Sequence, residues 1–154
     1  MFTPDVVVVI PTYRRGSALE KTLTSVATQS YERFTAKVVS DGPPDEAFRV
    51  IAANMADDNR FEFIVAPRTG TAGLTRQYGI DRSDAPLIAF LDHDDTFHED
   101  WLANGLERLK KTSCSWVVAS AVYERQQIVE PPGIPLHQIT WSPALQTLSL
   151  IHIS

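Results

Sequence analysis

Pro86-Leu87-Ile88-Ala89-Phe90-Leu91-Asp92-His93-Asp94-Asp95 is the stretch on which the reading of the fold turns. Its first six residues are an unbroken apolar run of strand length. Such a run reads as a central strand buried on both faces, as in a parallel sheet. Three carboxylates then fall within four residues. If the backbone stays extended, Asp92 and Asp94 point the same way. Two negative charges about 4 Å apart repel by roughly 1 kcal/mol in water and about 4 kcal/mol at an effective dielectric near 20. The cluster therefore calls for a counter-charge or a raised pKa. Oxygen-only ligands suit a hard cation such as Mg²⁺ or Mn²⁺. The carboxyl ends of strands are also where ligands bind in open α/β sheets. A purely local role competes with this one. Thr96-Phe97-His98-Glu99 fits a capping box, with Thr96 as N-cap and Glu99 at N3. That would explain Asp95 and Thr96 as helix-start residues, but not Asp92 and Asp94 as well.

Working back toward the N-terminus, strands and helices alternate. Asp5–Ile10 is a β-branched run that reads as the first buried strand, and Pro11–Gly16 is its turn. Ser17-Ala18-Leu19-Glu20 is a capping box opening a helix with Leu19, Leu23, Val26 and Ala27 on its apolar face. Thr35–Ser40 is a second strand, ending in Ser40-Asp41-Gly42. A helix over about Asp45–Ala56 is expected to bury Ala47, Val50, Ile51 and Met55. Phe61–Ala66 is a third strand, followed by the Gly- and Thr-rich loop Pro67–Gly73 and a short helix over about Leu74–Ile80. Beyond the acidic stretch, a helix over about Phe97–Lys111 carries Leu102, Leu106 and Leu109, with Trp101 adjacent. Ser115–Tyr123 reads as a fifth strand. This alternation argues βαβ units and a mostly parallel α/β sheet with flanking helices.

The chain of 154 residues is about one domain long, and its net charge of −5 argues against a broad nucleic-acid footprint. The lone Cys114 cannot form an internal disulfide, and it reads as a buried inert thiol in a reducing, cytoplasmic setting. No signal peptide and no apolar run of transmembrane length is seen, so no transmembrane segment is expected, while peripheral membrane contact stays open. Leu136–Ser154 has no clear period. Its last seven residues, Leu148–Ser154, look like a translated sequencing-library adapter and are excluded from the biology. The expected boundaries are one domain over 1–130, a short further segment over 131–147, and the adapter-like tail over 148–154.

Four strand-end segments converge on one sheet edge: Pro11–Arg15, Ser40–Gly42, Arg68–Arg76 and Asp92–Asp95. With Val8-Val9-Ile10-Pro11-Thr12-Tyr13-Arg14-Arg15 come Ser25-Val26-Ala27-Thr28-Gln29-Ser30-Tyr31 and Val38-Val39-Ser40-Asp41-Gly42. Gly70-Thr71-Ala72-Gly73-Leu74-Thr75-Arg76-Gln77 and Phe90-Leu91-Asp92-His93-Asp94-Asp95 follow in the same order. The set resembles the family-2 glycosyltransferases of GT-A fold, over roughly residues 5 to 125.

The resemblance implies a hexosyltransferase of polysaccharide or cell-wall biosynthesis, using a nucleotide-sugar donor, UDP favoured, with 1–130 as the nucleotide-sugar-binding domain and 131–147 as the truncated start of an acceptor region. Asp92-His93-Asp94 matches the family's DxD motif. Asp92, Asp94 and Asp95 would hold Mn²⁺ or Mg²⁺ against the donor diphosphate. Pro11, Thr12, Tyr13, Asp41, Arg76 and Asp92 match nucleotide-binding positions: Thr12 and Tyr13 line the base pocket, Asp41 accepts from a ring N–H, and Arg76 lies near the diphosphate. Ser40 stands where the family often has a further Asp, and Gln77 where it has Asn. The family's general base lies downstream of the DxD, and neither Glu124 nor Glu130 sits in a recognisable motif. His93, His98 and His137 are acid–base or metal groups by type only, so no catalytic base is named and the chain as it stands is expected to be inactive. Two rivals remain: a non-catalytic nucleotide-binding fragment, and a haloacid-dehalogenase-type phosphatase, whose DxDxT pattern Asp92–Thr96 also fits. The phosphatase motif normally ends the first strand of its fold, not the fourth.

Overall fold

A computed structural model describes residues 3–14, 16–112, 116–118, 121–123, 127–129 and 149–152. Val6–Thr12 forms β1, and Val6 through Ile10 are all fully buried. Side chains alternate across a strand, so one run feeds two cores. Val6, Val8 and Ile10 join Leu19, Leu23, Val26, Phe48, Ile51, Leu102 and Leu106 on one face. Val7 and Val9 join Ala85 and Ile88 on the other. Burying a Val or Leu contributes about 1.5–3 kcal/mol, so this strand anchors the domain.

β1 pairs in parallel with β2 (Phe34–Asp41) on one side and with β4 (Leu87–Phe90) on the other. β3 (Phe61–Ala66) extends the sheet beyond β2. From β1 the chain moves outward to β2 and β3, then returns to β4 on β1's far side. That reversal opens a crevice at the carboxyl ends of β1 and β4, where open α/β sheets bind ligands. Helices α1 (Gly16–Ala27), α2 (Glu46–Asn54) and α4 (Trp101–Lys111) supply the first core, while α3 (Ala72–Ile80) lies against β1 and β2. Gly79 permits that approach: a Cβ there would lie 2.8 Å from Val9 Cγ1.

Several local expectations are corrected. The helix α1 opens at Gly16, one residue before the expected Ser17 cap, and Gly16 lies where any Cβ would strike Ala47. The helix α2, capped by the Asp45 side chain on the Phe48 N–H, buries Phe48 and Ile51 with Met55 partly covered. Ala47 and Val50, expected inside, are both exposed, because the helix turns Phe48 and Ile51 toward the core instead. The helix α3 begins at Ala72, earlier than expected, since the Thr71 hydroxyl accepts from the Leu74 N–H. The helix α4 begins at Trp101, and Thr96–Asp100 is not helical. The Phe97 N–H donates instead to Ser25 Oγ, and the His98 carbonyl accepts from Gln29 Nε2. Tertiary bonds to Ser25 of α1 and to Gln29 just beyond it thus replace the capping box.

The expected fifth strand is two: β5 (Trp116–Val118) and β6 (Ala121–Tyr123), the latter paired with β7 (Gln127–Val129) in a separate ribbon. β8 (Ser149–His152), inside the adapter-like tail, lies antiparallel between β4 and β5. Strand pairing is made by backbone groups, so a short segment such as Ser149-Leu150-Ile151-His152 can fill that position whatever its origin. Cys114, Glu124, Glu130, His137 and the 131–147 segment lie outside the described residues.

Candidate active site

The crevice is lined by the ends of β1, β2 and β4 and by the N-terminal part of α3. At the end of β1, Pro11 and Thr12 are buried and Tyr13 is half-exposed. At the end of β2, Asp41 is buried, and Ser40 turns inward to donate its hydroxyl to the Gly42 carbonyl at 2.9 Å. Gly42 carries a φ of 95°, a backbone region open to glycine. Asp41 accepts from the Thr69 N–H at 2.6 Å, the Thr69 hydroxyl at 2.9 Å, the Gly70 N–H at 2.9 Å and the Arg68 guanidinium. Burial alone would raise its pKa. The bonds from Thr69 and Gly70 and the Arg68 charge outweigh burial and hold the carboxyl below its ordinary value.

From α3, Arg76 reaches across to pair with Asp92, both side chains being about a quarter to a third exposed. Its Nε is buried without a hydrogen-bond partner. A buried donor left without an acceptor costs on the order of 1–3 kcal/mol, so this nitrogen favours an incoming anionic oxygen.

The acidic loop departs from the extended geometry expected of it. Residues 93–94 turn, and the Asp95 N–H donates to the Asp92 carbonyl at 3.0 Å. Asp92 and Asp94 therefore do not share a strand face: Asp92 meets Arg76 and Asp94 is exposed. Asp95 is held above its ordinary value, first by burial and then by the charges of Asp92 and Asp94. Among the described residues, no three His, Cys, Asp or Glu side chains converge as a ready-made metal cage. The donor set does fit a cation shared with a substrate, because Mg²⁺-type sites take one or two carboxylates plus phosphate oxygens.

The loop is fastened from behind by α1. Thr22, fully buried, places Oγ1 2.8 Å from the His93 carbonyl oxygen and 2.7 Å from that of Asp95. Gln29 donates to the His98 carbonyl at 2.6 Å and accepts from the Leu102 N–H at 3.0 Å. Thr22, Gln29 and Arg68 carry no assigned role on sequence alone, although Gln29 lies in the Ser25–Tyr31 motif and Arg68 opens the converging segment Arg68–Arg76. The available signal was three hydroxyl or amide side chains, Thr22, Ser25 and Gln29, spaced i, i+3 and i+7 beside the apolar stripe.

Residues 7–148 match the family described as Glycosyl transferase family 2. The chain belongs to this family. A relative in Bacillus subtilis, the putative teichuronic acid biosynthesis glycosyltransferase TuaG, is 25% identical over 140 residues, which are 91% of this chain and 54% of TuaG. Among solved structures, S. aureus TarS 1–349 in complex with UDP superimposes with a TM-score of 0.73 at 17% identity, covering 82% of this chain and 38% of that one. The mannosyltransferase PcManGT from Pyrobaculum calidifontis, in complex with GDP-Man and Mn²⁺, gives a TM-score of 0.67 at 16% identity, covering 75% and 35%. The chain thus spans about half the length of the curated relative and little more than a third of these structures. The fold is the α/β GT-A architecture of these neighbours. Among the described residues, no helix is long and apolar enough to cross a membrane.

Proposed function

We propose that this family-2 chain carries the donor-binding half of a metal-dependent hexosyltransferase. The donor is a nucleoside diphosphate sugar, with UDP favoured, and the setting is polysaccharide or cell-wall biosynthesis, in keeping with the teichuronic acid biosynthesis in TuaG's name, the acceptor being unknown. One observation carries the reading: Tyr13, Asp41, Arg76 and Asp92–Asp95, far apart in sequence, gather at the carboxyl ends of β1, β2 and β4. Pro11 and Thr12 form the buried floor, Tyr13 offers a ring for the base, and Asp41 is the acceptor for a base N–H. Arg76, whose Nε lacks a partner, faces the diphosphate. Asp94 with Asp92 or Asp95 would hold Mn²⁺ or Mg²⁺, which when bound stabilises the charge on a departing diphosphate as a Lewis acid. The protein's own part is to bind and orient: α1 fixes the acidic loop, and Arg76 fixes Asp92.

Calorimetry of UDP binding with and without Mn²⁺ tests this. The wild-type chain should bind more tightly with Mn²⁺, and Asp94→Asn should lose that gain by about tenfold or more, the scale of one charged contact. An equal Mn²⁺ gain in both proteins overturns the metal assignment.

A further inference from the structure

One side chain, Arg68, reaches both groups assigned to the base, while Arg14 lies further from the Tyr13 ring, 5.2 Å from its centroid. The Arg68 guanidinium carbon lies 3.8 Å above the centroid of the Tyr13 ring. The same guanidinium bonds to Asp41 Oδ2. An ionised carboxylate offers about four acceptor sites. In Asp41 all four are taken: Thr69 N–H and hydroxyl on Oδ1, Gly70 N–H and Arg68 on Oδ2. A base N–H has nowhere to bind until one donor leaves. Gly42 helps keep Arg68 in place, since a Cβ there would lie 3.1 Å from both Arg68 Cβ and Cδ.

A guanidinium is flat and delocalised, stacks on aromatic faces, and presents N–H donors to a carboxylate. A pyrimidine or purine base does the same two things. We propose that Arg68 is a displaceable stand-in for the nucleobase, and that a donor nucleotide enters by taking its place over Tyr13 and at Asp41. This rests on the nucleotide reading above.

Arg68 is the donor able to yield. Two of the other three are backbone N–H groups, and the third is the Thr69 hydroxyl, which also lies 3.4 Å from that of Thr75. These belong to a loop tied to the start of α3 by the Thr71 cap. The Arg68 side chain is 46% exposed, so its guanidinium can pass to water with little loss. Selectivity follows: a ligand without a flat N–H-bearing ring cannot replace what Arg68 gives up, so pyrophosphate leaves it in place.

The test uses the full chain and two probes, uridine followed by NMR titration and Mn²⁺–pyrophosphate followed by calorimetry. Arg68→Ala should bind uridine more tightly, by up to about fivefold, the scale of one exposed ion pair, with pyrophosphate affinity unchanged. Arg68→Gln, which keeps a donor for Asp41 but loses the charge, should fall between. Uridine binding that is unchanged or weaker in Arg68→Ala overturns the proposal, because Arg68 would then be part of the base's own surface. If wild type and Arg68→Ala both bind Mn²⁺–UDP no better than Mn²⁺–pyrophosphate, there is no base slot, and the nucleotide reading fails along with this one.

Discussion

Thr22→Val would test whether helix α1 holds the acidic loop. Thr22 is fully buried, and its hydroxyl sits between the His93 and Asp95 carbonyl oxygens at 2.8 and 2.7 Å. Valine has nearly the same shape, so the substitution leaves no cavity and removes only the donor. One hydroxyl proton serves one carbonyl at a time, so the loss is one hydrogen bond plus the cost of leaving a part-buried carbonyl without its donor. Together these come to about 2 kcal/mol. In a domain of this length that is a fall in Tm of roughly 4–8 °C. Thr24→Val on the same helix is the control: its hydroxyl bonds the Glu20 carbonyl at 2.8 Å at an exposed site, and the change should stay within about 0.5 kcal/mol. Urea unfolding measures both. A loosened loop should also weaken Mn²⁺-dependent UDP binding more than uridine binding. If Thr22→Val is as stable as the Thr24 control and binds Mn²⁺–UDP normally, α1 does not position the loop.

Gly79→Ala should destabilise by about 1–3 kcal/mol despite alanine's better helix propensity, because the new Cβ would lie 2.8 Å from Val9 Cγ1 and 3.1 Å from Val39 Cγ2. By lifting α3 it should also weaken UDP binding through Arg76; a variant at least as stable as wild type refutes the close approach. Asp5 is held at about 2 against an ordinary 3.8, first by the Arg33 guanidinium and then by the Tyr31 hydroxyl. A depressed carboxyl pKa contributes stability above the unfolded value that is lost as pH falls through the folded one. With the Asp5 side chain 39% exposed, screening leaves about 1 kcal/mol. Asp5→Asn should therefore cost about that much at pH 6 and almost nothing near pH 2, by urea unfolding at each pH; a constant difference would refute it.

The strands were legible because their signal is local and redundant. Val6–Ile10 is β-branched throughout, and no other element accommodates five consecutive fully buried residues so well. The order of elements followed, and with it the crevice. Helix starts were less legible, because a cap competes with tertiary partners. Thr96-Phe97-His98-Glu99 carries a sound capping box, yet Ser25 and Gln29 take the Phe97 N–H and His98 carbonyl. The same residues explain the omission in the site. A Thr and a Ser on helix α1 and a Gln just beyond its end look like a solvent face, and only the three-dimensional approach of the acidic loop makes them buried partners. In α2, Phe48 and Val50 are both apolar, and periodicity could not choose between them without knowing where the sheet lies.

The electrostatics of the crevice bear on how metal and nucleotide enter. Asp95 is raised by burial and by two neighbouring carboxylates, so a diphosphate brought alone to this loop meets like charge. A cation brought alone meets no three-ligand cage among the described residues, and Asp92 is engaged with Arg76. On the proposed function each ligand would supply what the other lacks: a cation would offset the repulsion, and a diphosphate would bring the oxygen ligands that the loop does not offer. Thermodynamic linkage makes this coupling equal in both directions. On this reading the loop responds to the metal–nucleotide pair rather than to either partner. Arg76, with its Nε still lacking an acceptor, is placed to take a diphosphate oxygen without releasing Asp92.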